Sequence, residues 1–383
     1  MHRRKFLKIA GSASVIVAAT AGTGFFLTRS PTDALKPWKN AGSIYSDPIR
    51  WALSYAILAP NPHNRQPWLV DLISDTDAVL YCDPDRLLPV TDPFSRQIVI
   101  GLGCFLELFS IAASNQGYQA GIRYFPEGEP GEKLDRRPIA YLSLKQQPDL
   151  KADPLFTQCL NRQTNRSPFD TSRQVSDTTL QGLSEVSVGD VRVAVTNSEK
   201  LRDELRVLTR DAMVTEFRTA DAYQESVDLM RIGRAEIERN PDGIFLSGAF
   251  LESLRLAGIL TRENLADPNS KAFQTGLSMV EENTMSAMGF IWINTLGNER
   301  ISQIEVGRAY MRIALQASAE KLAIQPMSQA LQEYSAVEPY YKTIHASLAQ
   351  QPGERVQMLA RIGYAANTGP TPRWPLEARI MES

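Results

Sequence analysis

Two short segments carry most of the side chains that could do chemistry. In Asn161-Arg162-Gln163-Thr164-Asn165-Arg166-Ser167-Pro168-Phe169, Arg162, Thr164 and Arg166 fall within five residues. Guanidinium groups supply forked donors that match phosphate oxygens, and a hydroxyl adds one more. The segment can therefore surround a phosphate; equally, it can be a solvated basic turn. In Ala59-Pro60-Asn61-Pro62-His63-Asn64-Arg65-Gln66-Pro67-Trp68, the amides of Asn61, Asn64 and Gln66 offer both donors and acceptors. Pro60 and Pro62 stiffen this stretch and lower the entropy cost of ordering it on a ligand. Such a loop suits the polar edge of a flat heteroaromatic ring, or it is a turn in which Asn64 bonds its own backbone. His63 either touches a ligand or merely orders the loop. Two further pieces stand behind these. Gln325-Pro326-Met327-Ser328-Gln329 could present backbone groups and Ser328 to a ligand, although a helix stop at Pro326 explains it as well. Arg373 is flanked by Pro372 and Pro375 and so sits on a stiff arm.

Composition narrows what these segments can serve. The chain has 383 residues, 43% apolar and 22% charged, which is globular composition and excludes a mainly disordered chain. Lys and Arg total 41 against 43 Asp and Glu, a formal net charge of -2. Bulk electrostatics therefore give no reason to expect nucleic acid binding. The three cysteines (Cys82, Cys104, Cys159) cannot make a disulfide framework and contain no CxxC pair. The three histidines (His2, His63, His345) lie far apart, so no metal site is expected. There is no GxGxxG following a strand pattern, hence no nicotinamide fingerprint.

The N-terminus reads as an export signal. A basic head, His2 to Lys8 with Arg3-Arg4, precedes a weakly apolar run from Ile9 to Leu27. These are the parts of a targeting segment, and the arginine pair followed by Lys5-Phe6-Leu7-Lys8 resembles the twin-arginine (Tat) signal. Export by the Tat machinery to the periplasm is expected. Ala19-Thr20-Ala21 offers a cleavage site, but the run is about one bilayer span long, so retention as a membrane anchor is the alternative.

The elements that must position the chemical segments follow from periodicity and punctuation. Residues 31–46 read as a linker and 47–150 as a first block. Asp47-Pro48 opens a helix with Trp51, Tyr55 and Leu58 at helical spacing. Strands are expected over 68–73, 78–82, 121–125 and 139–144, with a buried helix over 97–115. The second block, 151–383, should hold a short helix at 155–164, a strand at 191–196 and helices at 198–217 and 223–239. It continues with a strand at 290–295, a helix at 303–321 ended by Pro326, a short helix at 353–360 and a short strand at 362–364. Leu108-Phe109-Ser110-Ile111-Ala112-Ala113 and Ile313-Ala314-Leu315-Gln316-Ala317-Ser318-Ala319 look alike, suggesting a duplicated α+β unit.

Taken together, in this order, the Ala59–Trp68 loop, the Arg162–Phe169 segment and the Gly363-Tyr364 and Pro372-Arg373 tail resemble the nitroreductase-like flavoproteins. The likeness runs over about residues 45–380 and is strongest to the double-domain Acg-type branch. The resemblance implies an α+β nitroreductase-like fold, with two pseudo-symmetric halves doing in one chain what dimerisation does elsewhere, so that a monomer suffices. It implies flavin mononucleotide (FMN) as cofactor, one per chain. Arg162, Thr164, Arg166 and Arg373 would hold its phosphate. Pro60, Asn61, Pro62, His63, Asn64 and Gln66 would come from the other half, and Pro326, Met327 and Ser328 would line the ring. Residues 200–285 would form a helical lid. The implied activity is oxidoreduction of a small quinone, nitroaromatic or similar molecule, with flavin storage or sensing as the alternative. Without nicotinamide outside the cytoplasm, a quinol, a redox protein or another donor would be needed.

Overall fold

The computed structural model describes residues 30–382; the targeting segment lies outside the described residues. Two helices open the fold, α1 (Lys36–Asn40) and α2 (Pro48–Ala56). Asp47 caps α2 by accepting from the Arg50 amide at 2.8 Å, as its position before Pro48 requires. The stretch expected as a linker is packed instead: Trp38 is buried and its indole donates to the Thr371 carbonyl at 2.7 Å.

Strands β1 (Trp68–Leu72), β2 (Asp77–Cys82), β3 (Tyr118–Tyr124) and β4 (Ala140–Gln146) form an antiparallel sheet in the order β1-β2-β4-β3. Alternation decides its faces: Ala140, Leu142 and Leu144 of β4 point into the core while Tyr141 and Ser143 do not. Helix α3 (Arg96–Asn115) packs on this sheet. It is apolar on nearly every face and long enough to cross a membrane, yet it is buried inside the protein.

Helix α4 (Asp177–Ser184) leads to strand β5 (Arg192–Thr196), which joins β8 (Gly289–Leu296), β9 (Ala323–Pro326) and β10 (Glu354–Gly363) in a second sheet, order β5-β8-β10-β9, also antiparallel. Between β5 and β8 lies an insertion: α5 (Glu199–Arg218), α6 (Ala220–Asp228), β6 (Met230–Ile232), α7 (Arg234–Arg239), β7 (Ile244–Leu246), α8 (Ala249–Leu256), α9 (Arg262–Ala266) and α10 (Lys271–Met285). Helices α11 (Arg300–Ala319) and α12 (Glu338–Leu348) complete the second half.

The two halves meet along α3 and α11, the helices that share the sequence likeness. Glycines set the approach. A Cβ on Gly103 would lie 2.2 Å from the Ile304 carbonyl oxygen, and one on Gly307 would lie 2.0 Å from that of Ile100. Beside this crossing, Glu107 takes Arg308 and Arg312 at 2.6 Å each. One apolar core runs from Trp38 through both helices to Leu376. A second lies between α5 and the outer face of the second sheet, and a third inside the insertion around Tyr223, Phe217 and Phe273.

Four expected elements differ. The helix over 223–239 is broken into α6, β6 and α7, because Leu229 ends α6 and Gly233 takes φ 82°. The stretch 353–360 is the start of β10, whose central position demands strand geometry on both faces. Pro326 does not end α11, which stops at Ala319; Lys321 turns the chain with φ 57° and Pro326 closes edge strand β9. The helix at 155–164 is only a 3₁₀ turn, Pro154–Gln158. Helices α4 and α12 were not anticipated.

Candidate functional site

The Arg162 segment crosses the end of the second sheet. The Asn165 amide donates to the Ile324 carbonyl on the outer edge of β9 (3.0 Å), and the Asn165 side chain donates to Ala366 O at 2.8 Å. This pins Arg162 and Arg166 on either side. Arg162 is buried; among the described residues its Nη2 reaches only Leu58 O at 3.4 Å, and its buried Nε has no partner. Arg166 is open to solvent, yet protein surrounds its guanidinium closely enough that burial lowers its pKa. Thr164 is half-buried beside them.

Two further arginines join this group. Arg361 of β10 is wholly buried; it donates to Gln325 Oε1 (2.7 Å), Ser286 Oγ (2.9 Å) and Ser167 O (2.8 Å) and stacks on Phe169 at 3.8 Å. Burial, with Arg166 nearby, pushes its pKa down to about 9. Arg373, also buried, is held well below its ordinary pKa by burial and by Arg162. Among the described residues none of the four makes an ion pair with a carboxylate, although most other arginines of the chain do. Buried charge without a counter-charge costs several kcal/mol per group, and an anion bound beside Arg162 would offset that cost.

Sequence reasoning overlooked one member. Tyr310 of α11 is buried within electrostatic reach of both Arg162 and Arg166, and burial raises its hydroxyl pKa. Its type was visible, but nothing in a helical periodicity distinguishes a core tyrosine from one whose hydroxyl faces a site.

The Asn61–Gln66 loop reaches the same place from the first half. His63, Asn64 and Gln66 adopt positive φ (47°, 52° and 51°), which non-glycine residues rarely do. His63 lies near Arg166, and burial together with that charge lowers its pKa to about 4. The ring is therefore neutral at pH 7, and its Nδ1 is buried without a partner.

Most of the other expected ligand groups are committed within the protein. Asn61 Oδ1 accepts from the Gln66 amide (2.7 Å) and its Nδ2 donates to Ala59 O (3.1 Å). Asn64 accepts from Arg373 Nη1 (2.6 Å) and donates to Pro372 O (3.1 Å). Gln66, fully buried, donates to Pro241 O (2.7 Å) and accepts from the Trp374 amide (2.9 Å). Pro60 is buried and Pro62 partly so. Arg373 donates to the carbonyls of Ile57 (3.1 Å), Leu58 (3.1 Å), Ala59 (3.1 Å) and Pro372 (2.9 Å) and to Thr371 Oγ1 (2.5 Å). Its charge remains at the site but its donors are spent, so it tethers the loop rather than gripping a phosphate. Met327 is likewise in the second core, its amide bonded to Leu359 O at 2.8 Å, leaving Pro326 and Ser328 partly exposed.

The insertion closes over the loop. The Gly243 amide donates to Asn64 O (3.2 Å), and Asp242 binds Arg86 (2.6 Å), Arg231 (2.8 Å) and the Trp374 indole (3.3 Å). Glu225 accepts from the amides of Val90 (2.9 Å) and Thr91 (3.1 Å). A cavity of about 300 Å³ lined by Asp211, Thr215, Arg218 and Tyr340 lies on α5, apart from the arginines.

Comparison with known proteins adds whole-chain similarity. No family model matches the sequence. The chain is 24% identical over 355 residues to a Mycobacterium tuberculosis protein that carries the name NAD(P)H nitroreductase acg, covering 87% of this chain and 95% of that one. It is 23% identical over 345 residues to a second Mycobacterium tuberculosis protein named as an NAD(P)H nitroreductase, covering 86% and 89%. Among solved structures, it is similar to a nitroreductase with bound FMN from Desulfitobacterium hafniense, with 15% identity, a TM-score of 0.37 and coverage of 60% of this chain and 98% of that one.

Proposed function

We propose that the chain binds FMN and works as a flavin-dependent oxidoreductase of the nitroreductase kind. One observation carries the reading: buried Arg162, with an unpaired Nε, stands beside Arg166, Arg361 and Arg373, and no carboxylate among the described residues pairs with them. Such a group fits a phosphate ester. Its position against a strained loop from the other half fits a ligand that spans the two halves. The similarity along nearly the full length to proteins named as nitroreductases supports the same reading.

In this assignment Arg162, Arg166 and the Tyr310 hydroxyl hold the phosphate, with Thr164 beside them. Arg361 and Arg373 supply positive potential and position the segments that carry the others. His63, neutral and with a free nitrogen, offers the heterocycle a single polar contact, and Pro62, Pro326 and Ser328 shape the space around it. Bound FMN supplies two-electron chemistry toward a small quinone, nitroaromatic or similar acceptor. The relatives' names point to NAD(P)H as donor; the Arg3-Arg4 segment points instead to export by the Tat route and to a quinol or redox protein. Finding the mature protein in the periplasmic or membrane fraction would favour the second donor class, and a cytoplasmic protein the first.

The grip of Pro241 and Gly243 on the loop favours a second reading, in which a closed lid makes the protein a flavin store or sensor. Two measurements decide. Purified protein should carry one FMN per chain, identified by absorbance and by mass after release; a colourless protein that takes up no added FMN overturns the assignment. Once reduced, the bound flavin should react with a quinone faster than free flavin does; slower reaction selects storage.

A further inference from the structure

We propose that Glu216, acting through the Tyr334 hydroxyl, supplies the proton that a quinone takes up together with the electron pair. The proposal rests on the flavin reading and deepens it, since that reading leaves the source of the proton open.

The surroundings of Glu216 suit a group that exchanges its hydrogen bonds. Its carboxyl is 4% exposed, on the side of α5 that packs against the turn Ser328–Leu331. Gln332 Nε2 donates to one oxygen at 2.6 Å and Gln329 Nε2 to the other at 3.3 Å. The other end of each amide is left over. Among the described residues Gln329 Oε1, Gln332 Oε1 and the Tyr334 hydroxyl are all buried without a partner. Buried polar atoms are normally paired, so three unpaired ones within six residues are more than a structural link between α5 and the turn requires. A half-turn of the Gln329 amide presents its oxygen to a protonated Glu216, so the carboxyl finds a partner with or without its proton. Of the three unpaired groups, only the Tyr334 hydroxyl can both give and take a proton.

Position ties this cluster to the candidate site. Helix α3 touches both: Arg96 donates to Leu331 O at 2.7 Å and pairs with Glu333 at 3.3 Å, while a Cβ on Gly101 would lie 3.0 Å from Asn61 and 3.3 Å from Pro62. From Arg96 to Gly101 is roughly 7.5 Å of helix. On the other side, Gln325 accepts from Arg361 at 2.7 Å, and from Gln325 to Ser328 is roughly 10 Å of extended chain. The turn therefore stands beside both the Asn61–Gln66 loop and the arginine group, next to the residues assigned to the heterocycle.

The charge around Glu216 agrees. Burial pushes its carboxyl up to about 7, and Glu225 on α6 raises it further, against the two glutamine amides. Helices α10 and α12 and strand β8 also pack on α5 and, among the described residues, bring no further charge to bear on it. Tyr334 lies within electrostatic reach of Glu216 and Glu225, and burial together with these carboxylates keeps its hydroxyl protonated. The chemistry balances. A quinone becomes a quinol by gaining two electrons and two protons. A hydride carries both electrons and one proton; Tyr334 gives its hydroxyl proton to the quinone oxygen and takes that of Glu216. Glu216 is left as a carboxylate until solvent reprotonates it.

The test uses FMN-loaded protein, photoreduced and then mixed rapidly with benzoquinone or with ferricyanide. Benzoquinone needs a delivered proton; ferricyanide takes electrons alone. In wild type the benzoquinone rate should fall as pH rises through about 7. Glu216→Gln should lower it about a hundredfold and remove the pH dependence, with ferricyanide oxidation unchanged. Glu216→Asp should restore part of the rate. Tyr334→Phe should also slow benzoquinone alone, and it carries the comparison if Glu216→Gln fails to fold. A second readout needs no turnover. In infrared spectra, the band of a protonated carboxyl should vanish with a midpoint near pH 7 and be missing in Glu216→Gln. Reducing the bound flavin should raise that midpoint by roughly one pH unit, as an added negative charge nearby does. Equal slowing with both oxidants, an unchanged benzoquinone rate in the variants, or a midpoint insensitive to reduction makes Glu216 a structural link and overturns the proposal while leaving the flavin reading intact. Wild-type protein that takes up no FMN overturns both.

Discussion

At the scale of single residues, the arginines divide by what their donors already do. Arg373 and Arg361 have spent theirs on carbonyls and side-chain oxygens, whereas Arg162 keeps a buried Nε unpaired. Removing the unspent pair together, Arg162→Ala with Arg166→Ala, should abolish FMN binding or weaken it at least a hundredfold. Each charged hydrogen bond contributes about 1.5–3 kcal/mol. Titration of FMN fluorescence against the apo variant measures this, and unchanged affinity would remove the phosphate assignment. Tyr310→Phe deletes one hydroxyl and should weaken FMN about tenfold by the same scale, with thermal stability of the flavin-free protein little changed. If affinity is unaffected, the Tyr310 hydroxyl points elsewhere than the phosphate.

Among elements, the crossing of α3 on α11 leaves no room for a side chain. Gly103→Ala or Gly307→Ala would place a methyl group about 2 Å from a backbone oxygen of the facing helix. The helices must separate, and a loss of roughly 1–3 kcal/mol is expected, read as a lower urea midpoint. Gly276→Ala, on exposed α10 with open space around it, should not destabilise. A second link joins α5 to the turn after β9. Glu216 is buried there and accepts from Gln332 Nε2 (2.6 Å) and Gln329 Nε2 (3.3 Å). Burial pushes its carboxyl up to about 7. Unfolded, the group titrates near 4.3, so between these values the folded chain holds a proton that the unfolded chain has released. This contribution is fully present below about pH 4.3 and disappears as pH rises through about 7. Glu216→Gln should flatten the fall in stability between about pH 4.5 and pH 7. A wild-type slope retained in the variant would mean that another group is responsible.

For the molecule as a whole, the insertion and the C-terminal tail bind the halves together. After β10 the tail returns to the first half: the Arg373 amide bonds Ala34 O (2.9 Å), and Ile380 pairs with Val70 on β1. Trp374 lies 5.8 Å from both Arg86 and Arg379, with Asp242 of the insertion at its indole. Asp242 thus faces two guanidiniums and an indole, and Asp242→Asn leaves Arg86 and Arg231 without that charge. Truncating one side of such a buried group costs about 3–5 kcal/mol locally. The insertion should then be cleaved faster by protease at limiting concentration, and bound FMN should exchange faster with free FMN. If cleavage and exchange both match wild type, Asp242 is not what holds the lid.

The sequence by itself determined the pieces whose signals are local. Proline and asparagine punctuation marked the Ala59–Trp68 loop, alternation marked β1, β2 and β4, and sustained apolarity marked α3. Asp47-Pro48 placed the start of α2 to the residue. Each of these depends on neighbours a few positions away. Tertiary structure decided the rest, because the deciding contacts join residues far apart in the chain. Asn64 and Gln66 read as free ligand amides until partners 308 and 175 positions away take them up. Arg373 reads as a phosphate arginine until the carbonyls of residues 57–59 surround it. Residues 353–360 are polar enough to suggest a helix, but a place between β8 and β9 makes them a strand. Tyr310 is one apolar position among many until the fold turns its hydroxyl toward Arg162 and Arg166. Burial and hydrogen-bond satisfaction are properties of the assembled core, and no local pattern carries them.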